Sequence, residues 1–130
     1  GVPPAYQPGR TYELVVALKR AGMLRSGFQT AARLAEGQGA GMQAGAFAPS
    51  DGGTQVIRDS GTGVAYVQHT QLGSAATGGT ARWSVLWTAP PRARGPVVFH
   101  IAANAANDDD SPLSDYIYTT EIRTTPGPRP

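Results

Sequence analysis

The sequence has 130 residues, enough for one domain, and its 17 glycines and 11 prolines indicate frequent turns. Hydrophobic residues make up 40% of it and the formal net charge is only +2, which excludes a disordered chain. Cysteine is absent, which excludes disulfide bonds, thiolate metal sites and a cysteine nucleophile.

The first strands are predicted from the alternation of apolar and polar residues. Residues 11–19 alternate cleanly, as a half-buried strand does. Residues 21–35 fit both a helical stripe and a strand. A strand over 27–34 is favoured, because Gly22 and Gly27 would each cost a helix about 1 kcal/mol. Shorter strands are predicted over 45–49, 55–58 and 64–69, with a glycine-rich loop over 36–45 and a turn over 59–63.

The second half of the chain repeats this pattern. Residues 81–89 alternate and end at Pro90-Pro91, since proline cannot donate to a strand ladder. A strand opens at Val97, and a last strand is predicted over 115–124. Polar loops are predicted over 71–80 and 104–114.

Together these segments predict an all-β fold, an antiparallel β-sandwich of about seven or eight strands. We expect a single domain over 1–125 that opens with an extended lead-in, 1–9. A proline-rich tail, 126–130, is expected to have no regular structure. The predicted core residues are Trp83, Trp87, Phe99, Tyr12 and Leu14.

A series of short motifs spans almost the whole chain. They are Tyr6-Gln7-Pro8-Gly9-Arg10-Thr11-Tyr12, Gly27-Phe28-Gln29-Thr30-Ala31, Gly45-Ala46-Phe47, His69-Thr70, the run from Trp83 to Pro90, Gly95-Pro96-Val97-Val98-Phe99, the run from Ala102 to Asn107, and Asp115-Tyr116-Ile117-Tyr118. Their order resembles a bacterial extracytoplasmic family, the choice-of-anchor V domain, a relative of the Reeler domain found at the start of reelin.

This resemblance implies an immunoglobulin-like sandwich that is exported from the cytoplasm. Members often stand beside a separate membrane anchor or other modules, and they carry no established catalytic motif. The sequence departs from the pattern because it contains no anchor. Attachment to a membrane is therefore expected to come through another protein.

An acidic loop holds the densest set of oxygen ligands in the chain. Its candidates for calcium binding are Asn107, Asp108, Asp110 and Asp115. The spacing of an EF-hand is missing and no Glu closes the loop. We therefore favour a solvated turn, and we predict no metal site and no cofactor.

The sequence does not predict an enzyme. His69 and His100 are the only histidines; a catalytic zinc site normally needs three protein ligands, and His69 supplies no pair of ligands at helical spacing. We expect His69 to bond a neighbouring loop and His100 to be exposed or to lie at an interface. A Gly-x-Ser-x-Gly nucleophile elbow is also missing.

Four residues are candidates for a protein interface. Arg92 and Arg94 form a basic spot on a proline-rich connection, and Tyr116 and Tyr118 lie on the last predicted strand. Tyrosine and arginine are both enriched at interfaces. The positive residues are scattered along the chain rather than clustered, so nucleic acid is not a predicted partner.

These observations favour a non-catalytic, exported protein that acts through protein–protein contacts. It is predicted to be an accessory or stabilising subunit on the extracytoplasmic face of a membrane complex, such as one for photosynthetic or respiratory electron transfer. It would then be periplasmic or extracellular and peripherally membrane-associated, with no transmembrane segment of its own. The alternative is a calcium- or carbohydrate-binding adhesion module at the cell surface.

Overall fold

A computed structural model describes residues 2–21, 23, 25–50, 52–70, 79–106 and 116–128, the side chains of 106, 116 and 117 excepted. These residues form nine strands and no helix. The strands are β1 (Ala5–Tyr6), β2 (Thr11–Lys19), β3 (Arg25–Leu34), β4 (Ala46–Pro49), β5 (Thr54–Arg58), β6 (Ala65–His69), β7 (Thr80–Thr88), β8 (Val97–Ala106) and β9 (Tyr116–Pro126).

The strands form two sheets of unequal width. The larger has the order β1-β9-β8-β3-β6-β5, and the smaller has the order β2-β7-β4. Every pair is antiparallel except β1 with β9, where Ala5 lies opposite Thr125 in a parallel pair. The predicted all-β sandwich is confirmed.

The core lies between the sheets and is dominated by aromatic rings. Trp87 is fully buried, and its ring contacts Tyr6, Tyr12 and Phe99 at centroid distances of 6.0, 6.0 and 4.8 Å. A second contact, of 4.7 Å, joins Phe28 of β3 to Trp83 of β7. The predicted core residues are confirmed as core, with Tyr12 only partly buried at its edge.

Apart from shifts of one or two residues at strand ends, the strands differ from the prediction in three places. The lead-in contains β1, which raises the number of strands to nine and makes one pair parallel. The polar segment at Asn104 belongs to β8, because β3 and β9 pair with it on both sides, through Gly27 and Ile117. Strand β9 runs through Pro126, into the predicted tail. In each case pairing with a strand distant in sequence extends a segment that local composition marks as irregular.

The turn predicted between β5 and β6 is present. The Asp59 carboxylate accepts hydrogen bonds from the Thr62 hydroxyl at 2.8 Å and from the Gly61 N–H at 3.1 Å. These bonds, the Thr62 bond above all, hold the pKa of Asp59 below its ordinary value. The turn therefore has the side-chain to backbone bonding expected for an Asp at this position.

Candidate interaction surfaces

The predicted calcium ligands cannot be placed in this fold. Asn107, Asp108, Asp110 and Asp115 all lie outside the described residues. Within the residues that are described, no three His, Cys, Asp or Glu side chains come close enough together to hold a metal ion.

Both histidines already have structural partners. The His69 ring lies against β3, where its Nδ1 accepts a hydrogen bond from the Phe28 N–H at 3.2 Å. The prediction of a structural bond is right, but the partner is a strand and not a loop. His100 is exposed on the outer face of the larger sheet, with its Nδ1 3.2 Å from a carboxylate oxygen of Glu121 on β9.

The basic connection between β7 and β8 is exposed at both Arg92 and Arg94. The connection is held to the core by Tyr6, which is fully buried. The Tyr6 hydroxyl donates to the Gly95 carbonyl at 2.8 Å and accepts from the Arg94 N–H at 3.3 Å. The sequence contains Tyr6 only as part of a motif, and nothing in its spacing points to this anchoring role.

We expect Tyr6→Phe to loosen this connection while keeping the ring in the core. It removes one hydroxyl and leaves a backbone carbonyl and an N–H without that partner, at a cost of about 1 to 2 kcal/mol in the free energy of unfolding. Urea denaturation measures the loss, and amide exchange at Arg94 should become faster. The matched control, Tyr118→Phe, removes a more exposed hydroxyl and should change stability by less than about 0.5 kcal/mol. Equal losses in both variants would contradict the anchoring role.

Of the two tyrosines of the last strand, only Tyr118 has a side chain that the structure describes. Tyr116 lies in β9 opposite Ala105, and its side chain is outside the description. The Tyr118 side chain is 40% exposed, and its hydroxyl accepts a hydrogen bond from Arg20 Nη1 at 2.8 Å. Since Arg20 directly follows β2, this bond joins the end of the smaller sheet to β9.

A groove lies beside Tyr118, between the last strand of the smaller sheet and the inner face of β9. It encloses about 240 Å³ and is lined mainly by Val16, Leu18, Ile101, Tyr118 and Ile122; we call it the β2–β9 groove. Ile122 pairs with Phe99 and so faces the same side of the sheet, yet Phe99 is 1% exposed and Ile122 is 40% exposed. The inner face of β9 therefore extends beyond the cover that the three-stranded sheet provides.

Over the part of the chain that the structure describes, both strands beside this groove are open along one edge. β2 is the end strand of its sheet, and over the described residues β9 is paired on its outer side only at Thr125 and Pro126, by β1. Such edges present N–H and C=O groups on which another strand can pair. The groove thus combines exposed apolar side chains with unpaired backbone.

A second concave area lies on the outer face of the larger sheet. It encloses about 550 Å³, with Ala31 and Ala102 among its lining residues. At one side the Arg33 guanidinium donates to the Tyr66 hydroxyl at 2.5 Å and lies 5.9 Å from that ring's centroid. The buried Arg33 Nε has no hydrogen-bond partner. Sequence reasoning missed this area because its residues come from four strands that only the sheet order brings together.

Comparison with solved structures shows which known fold this is. Two crystal structures of the human F-spondin Reeler domain match with 22% identity and TM-scores of 0.61 and 0.62, each covering 96% of this chain and 83% and 81% of theirs. The Reelin-N domain of F-spondin matches at 23% identity and a TM-score of 0.63, covering 97% of this chain and 80% of that one. The chain therefore has the fold of a Reeler domain.

A more distant match is AvmM, which catalyzes macrocyclization in alchivemycin A biosynthesis. It has 9% identity and a TM-score of 0.54, covering all of this chain and 87% of its own. No protein-family profile and no curated protein matches the sequence. The relationship to the Reeler fold is thus confirmed at the level of structure, and membership of the choice-of-anchor V family stays a prediction.

In the part of the chain that the structure describes, no helix has the length and apolar character needed to cross a membrane.

Proposed function

We propose that this protein is a non-catalytic module that binds other proteins through the β2–β9 groove. The observation that carries the proposal is the exposure of Tyr118 and Ile122, which face inward as core residues do but are 40% exposed. Both line the same groove, and a contiguous exposed apolar patch commonly marks an interaction site. The fold, shared with the Reeler domains, supports the proposal because it is that of a β-sandwich module.

The absence of catalysis is part of the proposal. His is the commonest general acid or base, and both histidines here are engaged, His69 with the β3 backbone and His100 with Glu121. The catalysis of AvmM belongs to a protein 9% identical to this one. The buried tryptophans serve as packing and not as a platform for a ligand.

The proposal places the module outside the cytoplasm, as an accessory or stabilising subunit on a membrane complex. Export is supported by the sequence resemblance to an extracytoplasmic family. The exposed Arg92 and Arg94 offer a second contact, to an acidic partner surface. A complex of photosynthetic or respiratory electron transfer is one host of this kind.

Purification from mildly solubilised membranes should recover the protein with its partner. Recovery only as a free soluble monomer would contradict this placement.

The contact surface can be tested by photo-crosslinking. A benzophenone amino acid at position 122 of the full chain is expected to crosslink the partner in the native host. At position 56, Val56 is also exposed, at 36%, but it lies on β5 at the opposite end of the larger sheet, where the same probe should crosslink little.

With the partner identified, Ile122→Lys is expected to weaken its binding at least about tenfold, because a charge replaces an apolar contact. The matched Val56→Lys should change the affinity less than about twofold. No crosslinked protein from position 122, or equal losses from both variants, would refute the groove as the contact surface.

A second candidate function is carbohydrate binding at the outer concave area. Arg33 and Tyr66 favour it, because both line this concave area and an aromatic ring and a guanidinium are groups that stack on and donate hydrogen bonds to a sugar ring. Calorimetric titration of the chain with oligosaccharides tests it, and titration with calcium tests the acidic loop. Absence of heat at millimolar concentrations would end each idea.

A further inference from the structure

Alternate residues of β2 present their backbone N–H and C=O groups to the open edge of the strand. In an antiparallel ladder, alternate residues exchange hydrogen bonds with the neighbouring strand and the others point away. The Arg20 N–H donates to the Gly79 carbonyl at 2.8 Å, and the Ala89 N–H donates to the Arg10 carbonyl at 2.9 Å. The even-numbered residues of this ladder therefore bond β7. The odd-numbered ones, 13, 15, 17 and 19, present their backbone groups to the open edge, where no described strand pairs with them.

The charges along β2 are symmetric about Val16. Glu13 and Lys19 are both exposed, are equally spaced on either side of Val16, and share the outer face of the sheet. If a second β2 pairs antiparallel with Val16 opposite Val16, each Glu13 lies opposite the Lys19 of the other copy. The same register brings odd-numbered residues together, so the outward N–H and C=O groups of the two copies meet.

Among the neighbouring registers, this is the one that places opposite charges across from each other. Centring the pair on Val15 places Glu13 opposite Ala17, and centring it on Ala17 places Lys19 opposite Val15, so neither forms a charge pair. Centring it on Glu13 or on Lys19 places like charges opposite each other, which is destabilising. Opposite charges face each other only when Val16 is central.

The added strand would also border the exposed part of the groove. It continues the smaller sheet outward from β2, the strand that lines the groove together with β9. Leu14 and Leu18 of the second copy stay in its own core, so its inward contribution at the twofold axis is the partly buried Val16.

We propose that a second copy of this chain docks along the open edge of β2 beside the groove, and that the protein forms a twofold dimer by antiparallel pairing of β2 with β2. This rests on the proposed function in taking the β2–β9 groove as the contact surface, and it names the partner strand. The interface is isologous, as most homodimer interfaces are.

Charge reversal gives the decisive test, read by analytical ultracentrifugation of the full chain over a concentration series. Glu13→Lys and Lys19→Glu each replace two attractive pairs by two repulsive ones in the dimer, and each should raise the dimer Kd at least about tenfold. Mixing the two variants should restore association, because every facing pair is then of opposite charge. The double variant E13K/K19E should dimerise like the unchanged protein.

The control is Arg82→Glu, which changes the net charge as Lys19→Glu does but lies on the central strand β7, opposite Ala17 and away from the open edge. It should leave the Kd within about twofold. Ala17→Pro is a second probe. It removes an outward N–H without removing a bond to β7, so the fold should persist while the dimer is lost.

A chain that stays monomeric at about 0.5 mM would overturn the proposal, and so would a mixture of the two reversal variants that fails to associate. These failures differ from failure of the proposed function. A monomeric chain that crosslinks a different protein from position 122 keeps the groove as a contact surface and removes only the second copy. A chain with no crosslink and no dimer loses both.

Discussion

Trp87→Ala should lower the free energy of unfolding by about 3 to 5 kcal/mol, the largest loss expected from a single truncation in this protein. The side chain is fully buried, and its ring contacts Tyr6, Tyr12 and Phe99, so its removal empties the place where both sheets and the lead-in meet. Its Nε1 also donates to the Ala44 carbonyl at 3.0 Å. Urea denaturation followed by circular dichroism measures the change.

Trp87→Phe is a milder variant, because it keeps a six-membered ring while it removes the N–H donor and the rest of the indole. Phenylalanine keeps an aromatic ring but has no donor for the Ala44 carbonyl, so a loss of about 1 to 3 kcal/mol is expected. A Trp87→Ala variant within 1 kcal/mol of the unchanged protein, on the order of a surface change, would show that this ring does not join the sheets.

Gly45→Ala should cost about 3 kcal/mol or more, although it adds a single methyl group. Gly45 has a φ of +72°, which L-residues adopt only at a cost of about 1 to 2 kcal/mol. A Cβ there would also collide with the Thr88 carbonyl oxygen and lie 2.6 Å from Trp87 Nε1. The backbone would have to move away from β7, and the bond from Trp87 to Ala44 would be strained.

The matched control for this variant is Gly37→Ala. Gly37 has a φ of +83°, but a Cβ there would meet nothing within 4 Å. It therefore carries the conformational cost of about 1 to 2 kcal/mol alone. The difference between the two thermal or urea midpoints isolates the collision at Gly45. Equal losses would mean that the chain at Gly45 shifts freely and that the close approach to β7 has little energetic weight.

The strands that the sequence predicted well are those with a strict period of two and one apolar face. In β7, Trp83, Val85 and Trp87 are all buried, while Arg82 on the opposite face is exposed. Here the alternation is a direct consequence of one face packing on the other sheet. For such strands, the local sequence predicts both where the strand lies and which of its faces packs in the core.

The elements that were missed depend on pairing between distant parts of the chain. β1 forms because Ala5 and Tyr6 pair with Thr125 and Pro126 of β9. A local sequence pattern cannot predict pairing with residues so distant in the chain. The same holds for Asn104, whose polar neighbourhood suggests a loop until β3 and β9 pair on both sides of it. Tertiary pairing decides where local propensity is weak.

The candidate site was predicted in part. Tyr118 was recognised as an interface candidate by residue type, and the fold places it beside the groove. The exposure of Ile122 could not be predicted from the sequence, because it depends on the unequal widths of the two sheets. The symmetric charges of β2 are visible in the sequence, yet they have meaning only when β2 is known to be an end strand.

The parallel contact between β1 and β9 has a mechanical consequence. Because the two strands run the same way, the segment before β1 and the segment after β9 extend from opposite ends of the pair. Tension applied to the two flanking segments would therefore pull these strands past each other lengthwise. The Thr125 N–H bond to Pro4 and the Gly127 N–H bond to Tyr6 would be loaded together and not broken one after the other. The short β1, held by the buried ring of Tyr6, is placed to act as a shear clamp for the whole sandwich.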